Sequence, residues 1–119
     1  MSELIDRSNG RKLLSKVEFA TTFWKRFWGL QFRRELPSGH GIWLSPCSSL
    51  HTCFMRFPID VVMLDERRKI VAVRRNVQPW RLLFCERKTH SVIEVTSADA
   101  GWTVGHQVDV IDFDVTDRS

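Results

Sequence analysis

The segment from His51 to Asp65 constrains the fold of this 119-residue chain more than any other feature. Residues 50–56 predict one strand, in which successive side chains face opposite sides of the sheet. Phe57–Pro58 ends that strand, since proline has no amide proton for the ladder and holds the residue before it in an extended conformation. The apolar run 59–64 then predicts a second strand, and residues 65–68 predict a hairpin turn. The side chains that share one face of the first strand are those of His51, Cys53 and Met55.

Short patterned runs elsewhere in the chain predict the remaining elements. Residues 23–30 predict an amphipathic helix, because apolar side chains recur there at helical spacing after a pair of threonines that can cap it. The run 69–75 carries apolar residues on both faces, as expected of a central strand that is covered on both sides. Ser97 can cap one helical turn over residues 98–102. The other predicted strands cover residues 12–20, 42–44, 91–95 and 107–115.

These elements predict an α+β domain. About six or seven short strands would form a compact, β-rich domain with a curved or barrel-like, mostly antiparallel sheet, accompanied by one short helix and one helical turn. A chain of this length has room for a single core, with an expected radius of gyration of about 14 Å. Because residues 1–10 are polar and unpatterned, we expect them to form a flexible N-terminus, and residues 11–119 to form a single domain.

The charge balance is mildly basic, with 18 basic and 14 acidic residues and a formal charge of +4. The basic residues fall into short clusters, which are typical of a solvated surface. The excess of basic over acidic residues is smaller than that of a dedicated phosphate-backbone binder. The pattern therefore disfavours nucleic acid as a partner and leaves an anionic small ligand or a peptide partner open. The basic clusters are Lys25-Arg26, Arg33-Arg34, Arg67-Arg68-Lys69, Arg74-Arg75 and Arg87-Lys88.

Nothing in the sequence predicts export or a membrane span. The first twenty residues carry several charges, including Glu3, Asp6 and Arg7, and lack the apolar core of a signal peptide. No apolar run reaches the roughly 18 residues needed to cross a bilayer. Three cysteines, an odd count, fit a reducing compartment better than a disulfide framework. The expected localisation is therefore cytoplasmic.

The arrangement Cys47-x3-His51-x-Cys53 suggests a metal cluster at first sight. Tetrahedral zinc needs four ligands, however, and the usual short Cys-x2-Cys knuckle is absent, so we expect neither a metal nor a cofactor. A Cys–His nucleophile pair is a second interpretation, because a neighbouring imidazolium makes a thiol more reactive. His51 and Cys53 would lie about 6 to 7 Å apart along one strand face, so a buried cysteine that packs like a small apolar residue is the simpler interpretation.

Three charged residues lie within or beside apolar strands and need partners there. Arg56 and Asp60 flank the Phe-Pro break. As a functional pair, the Arg56 guanidinium would bind a carboxylate or phosphate while Asp60 orients it or acts as a base. As a structural pair, the two would fix the turn. Glu94 stands among apolar residues of a predicted strand, and it would either join this pair around a shallow pocket or form an ion pair with a neighbouring arginine.

The motifs along the chain resemble those of DUF192, a family of small bacterial and archaeal domains. The resemblance runs from about Phe19 to Val110, and its most specific part is the segment from His51 to Asp65. It implies a compact β-rich fold without an established activity, and the family includes members with an export signal. His106 departs from the family pattern, in which aspartate often follows the late glycine. The other matching motifs are Gly29-Leu30, Gly39-x-Gly41-Ile42, Val92-Ile-Glu94-Val95 and Gly105-His106-Gln107-Val108.

The leading functional hypothesis is a non-catalytic binding or accessory module. The loop 46–51 and a rim around Arg56 and Asp60 would bind an anionic small ligand or the extended peptide of a partner, because an exposed sheet edge accepts an added strand. One alternative is a small hydrolase or transferase that acts through Asp60, His51 or Cys53. Another is weak nucleic-acid binding through the basic surface runs. The candidate ligand-binding residues are His51, Met55, Arg56, Asp60 and Glu94.

Overall fold

The computed structural model describes residues 2–20, 36–52, 55–96 and 101–112. These ranges contain ten strands and no helix, so the described domain is all-β and the α+β prediction is wrong. The predicted helix over residues 23–30 and most of the predicted helical turn lie outside the described residues. The physical reason for the difference is that, within these ranges, strands and the segments that join them bury both faces of the main sheet. No helix long and apolar enough to cross a bilayer occurs within these ranges.

The strands are short and are numbered in chain order. They are β1 (Ser2–Asp6), β2 (Lys12–Leu14), β3 (Lys16–Ala20), β4 (His40–Leu44), β5 (Ser49–His51), β6 (Ile59–Leu64), β7 (Ile70–Val77), β8 (Leu82–Phe84), β9 (Ser91–Thr96) and β10 (Val108–Asp112). The predicted bounds of the strand over residues 59–64 are confirmed by β6, since an unbroken apolar run after a proline leaves little freedom in where the strand starts.

A five-stranded sheet in the order β3-β4-β9-β6-β7 forms the centre of the fold. Its pairs are antiparallel except for β3 with β4, which is parallel. β6 is buried at all six positions and β9 at five of its six. The strand predicted to be central, over residues 69–75, is instead β7, which pairs only with β6 among the described strands. Apolar residues on both faces were therefore a poor guide to position, because loops as well as strands can cover an outer strand.

The two faces of this sheet are covered by different elements. The face of the sheet that carries Trp43 packs against a three-stranded sheet in the order β10-β1-β2. The face that carries Val61 packs against the two-stranded ladder of β5 and β8 and against Met55 and Phe57, which follow β5. Residues in the Trp43-face cluster include Leu4, Trp43, Val62, Ile93 and Val108. Residues in the Val61-face cluster include Ile42, Leu50, Met55, Val61 and Val92.

The segment predicted to be a flexible N-terminus contains β1, which lies between β2 and β10. Leu4 is fully buried in the Trp43-face cluster. Asp6 ends the strand and starts a turn, because its carbonyl oxygen accepts a hydrogen bond from the Gly10 amide at 2.7 Å and its carboxylate accepts one from the Ser8 amide at 2.8 Å. Two adjacent apolar residues gave too short a pattern for the strand to be predicted.

The single strand predicted over residues 12–20 is divided at Ser15 into β2 and β3, which belong to different sheets. The Ser15 amide and hydroxyl both donate hydrogen bonds to the Gly39 carbonyl oxygen, at 2.8 and 3.2 Å. Gly39 has a φ of +84°, and a Cβ added there would lie 3.1 Å from the Ser15 Oγ. Glycine meets both demands, and the contact fixes the point where the chain passes from one sheet to the other.

A side-chain contact between buried Asp6 and half-buried His106 joins β1 to the turn before β10. Asp6 is 1% exposed, and its Oδ2 lies 2.7 Å from the His106 Nδ1. Burial alone would raise the pKa of Asp6, but the hydrogen bonds from His106 and Ser8, together with the charge of His106, outweigh burial and hold the pKa below its ordinary value of 3.8. The ionised carboxylate is therefore more stable in the folded chain than in the unfolded chain.

We expect Asp6 to make the stability of the fold depend on acid pH. Because the folded-state pKa is the lower one, the carboxylate contributes fully above the unfolded-state pKa, and its contribution is lost as the pH falls through the folded-state pKa. Asp6→Asn should lower the free energy of unfolding by about 1–3 kcal/mol at about pH 6, and by less at about pH 3, in urea denaturation. The control is Glu3→Gln, which removes a more exposed pair with Lys12. An Asp6→Asn deficit that is equal at both pH values would contradict this assignment.

Candidate functional site

The strand predicted over residues 50–56 is shorter than expected, and β5 ends at His51. Cys53 and Phe54 lie outside the described residues. The chain leaves the ladder at Thr52, and both the amide and the carbonyl of this residue form backbone hydrogen bonds. Its amide donates to the Arg81 carbonyl at 2.9 Å, and its carbonyl accepts from the Trp80 amide at 2.9 Å and from the Met55 amide at 3.1 Å.

The Thr52 side chain adds two hydrogen bonds in the same place. Its hydroxyl donates to the Gln78 carbonyl at 2.7 Å and accepts from the Arg81 amide at 2.8 Å, and the residue is fully buried. Thr52 therefore holds the loop 78–81 against the end of β5 and sets where β8 begins. Sequence reasoning missed this role. The available signal was a polar residue in an apolar motif, which must find partners if it is buried.

Asp60 is the charged residue of β6, and its carboxylate accepts hydrogen bonds from the neighbouring strand β7. One residue of β6 stands opposite Arg75 and Asn76 of β7, so β7 bulges there. The Asp60 Oδ1 accepts a hydrogen bond from the Asn76 amide at 2.8 Å, and the Oδ2 accepts one from the Arg75 Nη1 at 3.3 Å. Asn76 has a φ of 56°, a left-handed conformation that asparagine tolerates better than most residues. The carboxylate thus stabilises the bulge, and its observed arginine partner is Arg75.

Glu94 lies in the middle of the large sheet. Glu94 belongs to β9 and pairs with Ile42 of β4 on one side and with Val61 of β6 on the other. It is 2% exposed. Directly paired residues point to the same face, so Glu94 is on the Val61 face. Asp60 pairs with Val95 and therefore points to the Trp43 face. The structure places the two carboxylates on opposite faces of the sheet and does not bring them together around one pocket.

The other three candidate residues differ in access to solvent. Met55 is buried in the Val61-face cluster. Arg56 is exposed and forms no ion pair with a residue of the described ranges. His51 is half-buried and stands opposite Leu82 in the ladder, with both ring nitrogens removed from solvent. Of the five candidates, Arg56 is therefore the one whose charged group faces water.

The β5–β8 ladder exposes an apolar strand at the surface. β8 was not predicted, although the sequence Trp80-Arg-Leu-Leu-Phe84 carries a short apolar run. Within the described part of the chain, β8 pairs only with β5. Leu82 is 65% exposed and Phe84 is 71% exposed, while Leu83 packs against the Val61-face cluster. Exposed apolar residues on an outer strand are the largest departure from an ordinary soluble surface in this region.

Two cysteines lie beside the β5–β8 ladder, and two shallow grooves share Thr89 and His90. Cys47 and Cys85 are half-buried, and neither is in a disulfide. One groove is lined by residues 46–48 with Thr89 and His90, and the other by charged residues of both signs together with Thr89 and His90. In the ranges that the structure describes, no group of three or more His, Cys, Asp or Glu residues could hold a metal ion.

The family resemblance is confirmed by comparison with known proteins. The DUF192 family model, described as an uncharacterised ACR, matches residues 4–112. The chain therefore belongs to the DUF192 family.

Curated relatives carry the same uncharacterised status in their names. A UPF0127 protein of Pyrococcus furiosus is 31% identical over 96 residues, which cover 76% of this chain and 80% of the relative. A UPF0127 protein of Pyrococcus abyssi is 33% identical over 100 residues, which cover 79% of this chain and 82% of the relative. The family is thus shared with archaeal proteins whose lengths are close to that of the matched region.

Two crystal structures have a similar fold. A protein of unknown function from Novosphingobium aromaticivorans has a TM-score of 0.77 at 23% identity, covering 91% of this chain and 82% of that one. A putative transcription regulator from Sinorhizobium meliloti has a TM-score of 0.76 at 22% identity, covering 92% of this chain and 91% of that one. At such identities the likeness establishes the fold alone.

The two charged candidates beside the Phe-Pro break should differ in their effect on stability. Asp60→Ala removes the partner of the Asn76 amide and of Arg75, so it should lower the free energy of unfolding by about 1–3 kcal/mol. Arg56→Ala removes a solvated side chain and should change that free energy by no more than about 0.5 kcal/mol. Urea denaturation of both variants measures the difference. Equal losses would show that Arg56 also has a structural role.

Proposed function

We propose that the chain is a non-catalytic binding module that pairs the outer edge of β8 with an extended, acidic and apolar peptide segment of a partner. The single observation that carries this proposal is the exposed apolar edge of β8, with Leu82 and Phe84 facing solvent. A strand edge of this kind attracts another strand, because no other described strand pairs with its backbone groups on that side.

The hydrogen bonds of the ladder indicate which backbone groups face outward. The Thr52 amide bonds the Arg81 carbonyl, and the Cys85 amide bonds the Ser48 carbonyl, both at 2.9 Å. In an antiparallel pair, every second residue directs its amide and carbonyl at its partner strand. Residues 81, 83 and 85 therefore bond β5, and the backbone groups of Leu82 and Phe84 point to the outer edge. An added strand would bond these two residues and lie beside their side chains.

Charge favours an acidic partner. Glu86 follows β8, but it forms an ion pair with Arg74. Arg81, Arg87 and Lys88 stand just before and after β8, are exposed, and form no ion pair with another described residue. Carboxylates on the incoming segment would meet these groups, which accelerates association and favours a partner of this charge. The net charge of +4 acts in the same direction.

Arg56 supplies a further positive charge for an acidic partner, on the segment that Thr52 connects to the start of β8. The segment that carries it is held by the hydrogen bond between the Met55 amide and the Thr52 carbonyl at 3.1 Å, and Thr52 also anchors the start of β8. A guanidinium on a fixed loop can form two parallel hydrogen bonds to one carboxylate. We therefore propose Arg56, and not Asp60 or Glu94, as the anion-binding residue of this segment.

The alternative functions have less support. For a hydrolase or transferase, Asp60 is 2% exposed and engaged by the β7 bulge, and the ring nitrogens of His51 are removed from solvent. For nucleic-acid binding, several basic groups are already engaged. These are Lys12 with Glu3, Arg68 with Asp109 and the Trp43 ring, Arg74 with Glu86, and Arg75 with Asp60.

The test uses labelled nine-residue peptides and fluorescence anisotropy. We expect a peptide that alternates glutamate with valine to bind at least about tenfold more tightly than one that alternates lysine with valine, because only the first matches the basic flanks. The glutamate peptide N-methylated at alternate amides should bind about tenfold more weakly than its parent, since it cannot complete the ladder. Equal binding of the methylated and parent peptides would exclude strand addition.

Two variants of one residue separate the backbone from the side chain. Phe84→Pro removes the outward amide while leaving the amides of Leu83 and Cys85 to bond β5, and it should weaken binding of the glutamate peptide by about tenfold. Phe84→Val keeps the amide and an apolar β-forming side chain, and its affinity should stay within about threefold of the parent. Thermal unfolding of both variants checks that the fold is kept. Equal affinities of two folded variants would contradict the proposal.

A further inference from the structure

Cys47 and Cys85 lie together at one end of the β5–β8 ladder. Cys47 precedes β5 and Cys85 follows β8, and the antiparallel pairing of Ser49 with Phe84 brings these two ends side by side. The Cys85 amide extends the ladder by donating to the Ser48 carbonyl at 2.9 Å. The Cys47 and Cys85 side chains are close enough to influence each other electrostatically. Two cysteines distant in sequence are thus brought near each other, which is the first condition for a disulfide between them.

The thiols can be reached from solvent. Both cysteines are half-buried, and neither is in a disulfide. Cys47 lines a shallow groove together with Pro46, Ser48, Thr89 and His90. Its amide donates to the His90 carbonyl at 2.9 Å, which fixes its position. Its Sγ lies 3.3 Å from the Ser49 carbonyl oxygen, so its single S–H can be directed either to that oxygen or to Cys85. A small molecule in this groove would therefore contact one thiol and lie near the other.

The surroundings of Cys85 favour its thiolate. The hydrogen bond with Cys47 has the largest influence and lowers the pKa of Cys85, whereas burial raises it. The charge of Arg74 lowers this pKa further, against the opposing charges of Glu86 and Glu94. The balance is a pKa below the ordinary value, so more of Cys85 is thiolate at neutral pH than of an ordinary cysteine.

We propose that Cys47 and Cys85 form a reversible dithiol–disulfide site that exchanges with small-molecule disulfides. Cys85, as thiolate, attacks one sulfur of the small disulfide, forms a mixed disulfide and expels one thiolate, which takes up a proton. Cys47 loses its proton to solvent and attacks the Cys85 Sγ, which forms the intramolecular disulfide and expels the second thiolate. The chain loses two electrons and two protons, and the small disulfide gains them as two thiols.

This site does not depend on the peptide-binding edge. It uses the end of the ladder, the groove beside Cys47 and the charges around Cys85, and it requires no partner protein. The reacting groups lie at the side chains of two residues, whereas the proposed peptide site uses the outward backbone of β8. The two proposals can therefore fail separately.

The test exposes the 119-residue chain to mixtures of reduced and oxidised glutathione, followed by alkylation and mass spectrometry. We expect the oxidised chain to remain a monomer, to lose two alkylatable thiols, and to yield a linked peptide that joins Cys47 to Cys85. Excess reduced glutathione should restore both thiols. Cys53→Ser should give the same linked peptide, because the third cysteine takes no part.

Single substitutions test the order of the two steps. Cys47→Ala should stop at the mixed disulfide of Cys85 with glutathione, since the resolving thiol is missing. Cys85→Ala should react with oxidised glutathione at least about tenfold more slowly than Cys47→Ala, because the more nucleophilic group is missing. The pH midpoint for alkylation of Cys85 should rise in Cys47→Ala, which lacks the thiol hydrogen bond. A cysteine with a purely structural role would show no such shift.

Three results would overturn the proposal. The first is independent glutathionylation of Cys47 and Cys85 at every redox ratio, without a linked peptide. The second is a linkage that involves Cys53 or a second chain in place of the Cys47–Cys85 linkage. The third is equal reactivity of the two single variants, both folded by thermal unfolding, which would remove the distinction between attacking and resolving thiol.

Discussion

The structure depends on burying β6 on both of its faces. All six residues from Ile59 to Leu64 are buried, and the strand pairs with β7 on one side and β9 on the other. Each fully buried aliphatic side chain contributes about 1.5–3 kcal/mol relative to the exposed state, but only if something covers it. Two different layers are therefore needed. The sheet of β10, β1 and β2 covers the Trp43 face, and the β5–β8 ladder helps to cover the Val61 face.

The burial of the central strands also explains why the carboxylates in the central sheet have partners inside the protein. A carboxylate in β6 or β9 cannot reach water easily, so it must find partners inside the protein. Asp60 finds them in a bulge of β7, where one amide and one guanidinium converge on it. The bulge is a local irregularity, yet it follows from the need to satisfy one acid. An acid that serves this purpose is poorly placed to serve as a base for a substrate.

The sequence predicts those parts of the molecule in which a local pattern and a tertiary position agree. The apolar run after Pro58 gave the bounds of β6, and the motif from His51 to Asp65 led to the family. The prediction of helical content was wrong for the described domain, and β1 and β8 were missed. Both strands are short, and β8 and one side of β1 pair with strands distant in sequence, so no local periodicity reports them.

The candidate site was harder to predict for the same reason. Alternation along the strand correctly places neighbours on opposite faces, but it cannot say which strand lies alongside. Asp60 was predicted to lie on a rim because it flanks the Phe-Pro break, and Glu94 was predicted either to join that rim or to form an ion pair with a neighbouring arginine. Only the register, which sets Asp60 opposite Val95, shows that they face away from each other. The partner of Asp60, fifteen residues further along the chain, depends on a bulge that no sequence pattern marks.

Polar contacts at both ends help to hold the β5–β8 ladder in place. β5 and β8 share three residue pairs, which would form a marginal ladder in isolation. Thr52 adds side-chain and backbone hydrogen bonds at one end, and the Cys85 amide adds one at the other end. Because these contacts lie on the inner side of β8, they order the strand without covering its outer edge. An exposed strand that is already ordered loses less conformational entropy when a peptide binds, which is the physical advantage of a preformed edge.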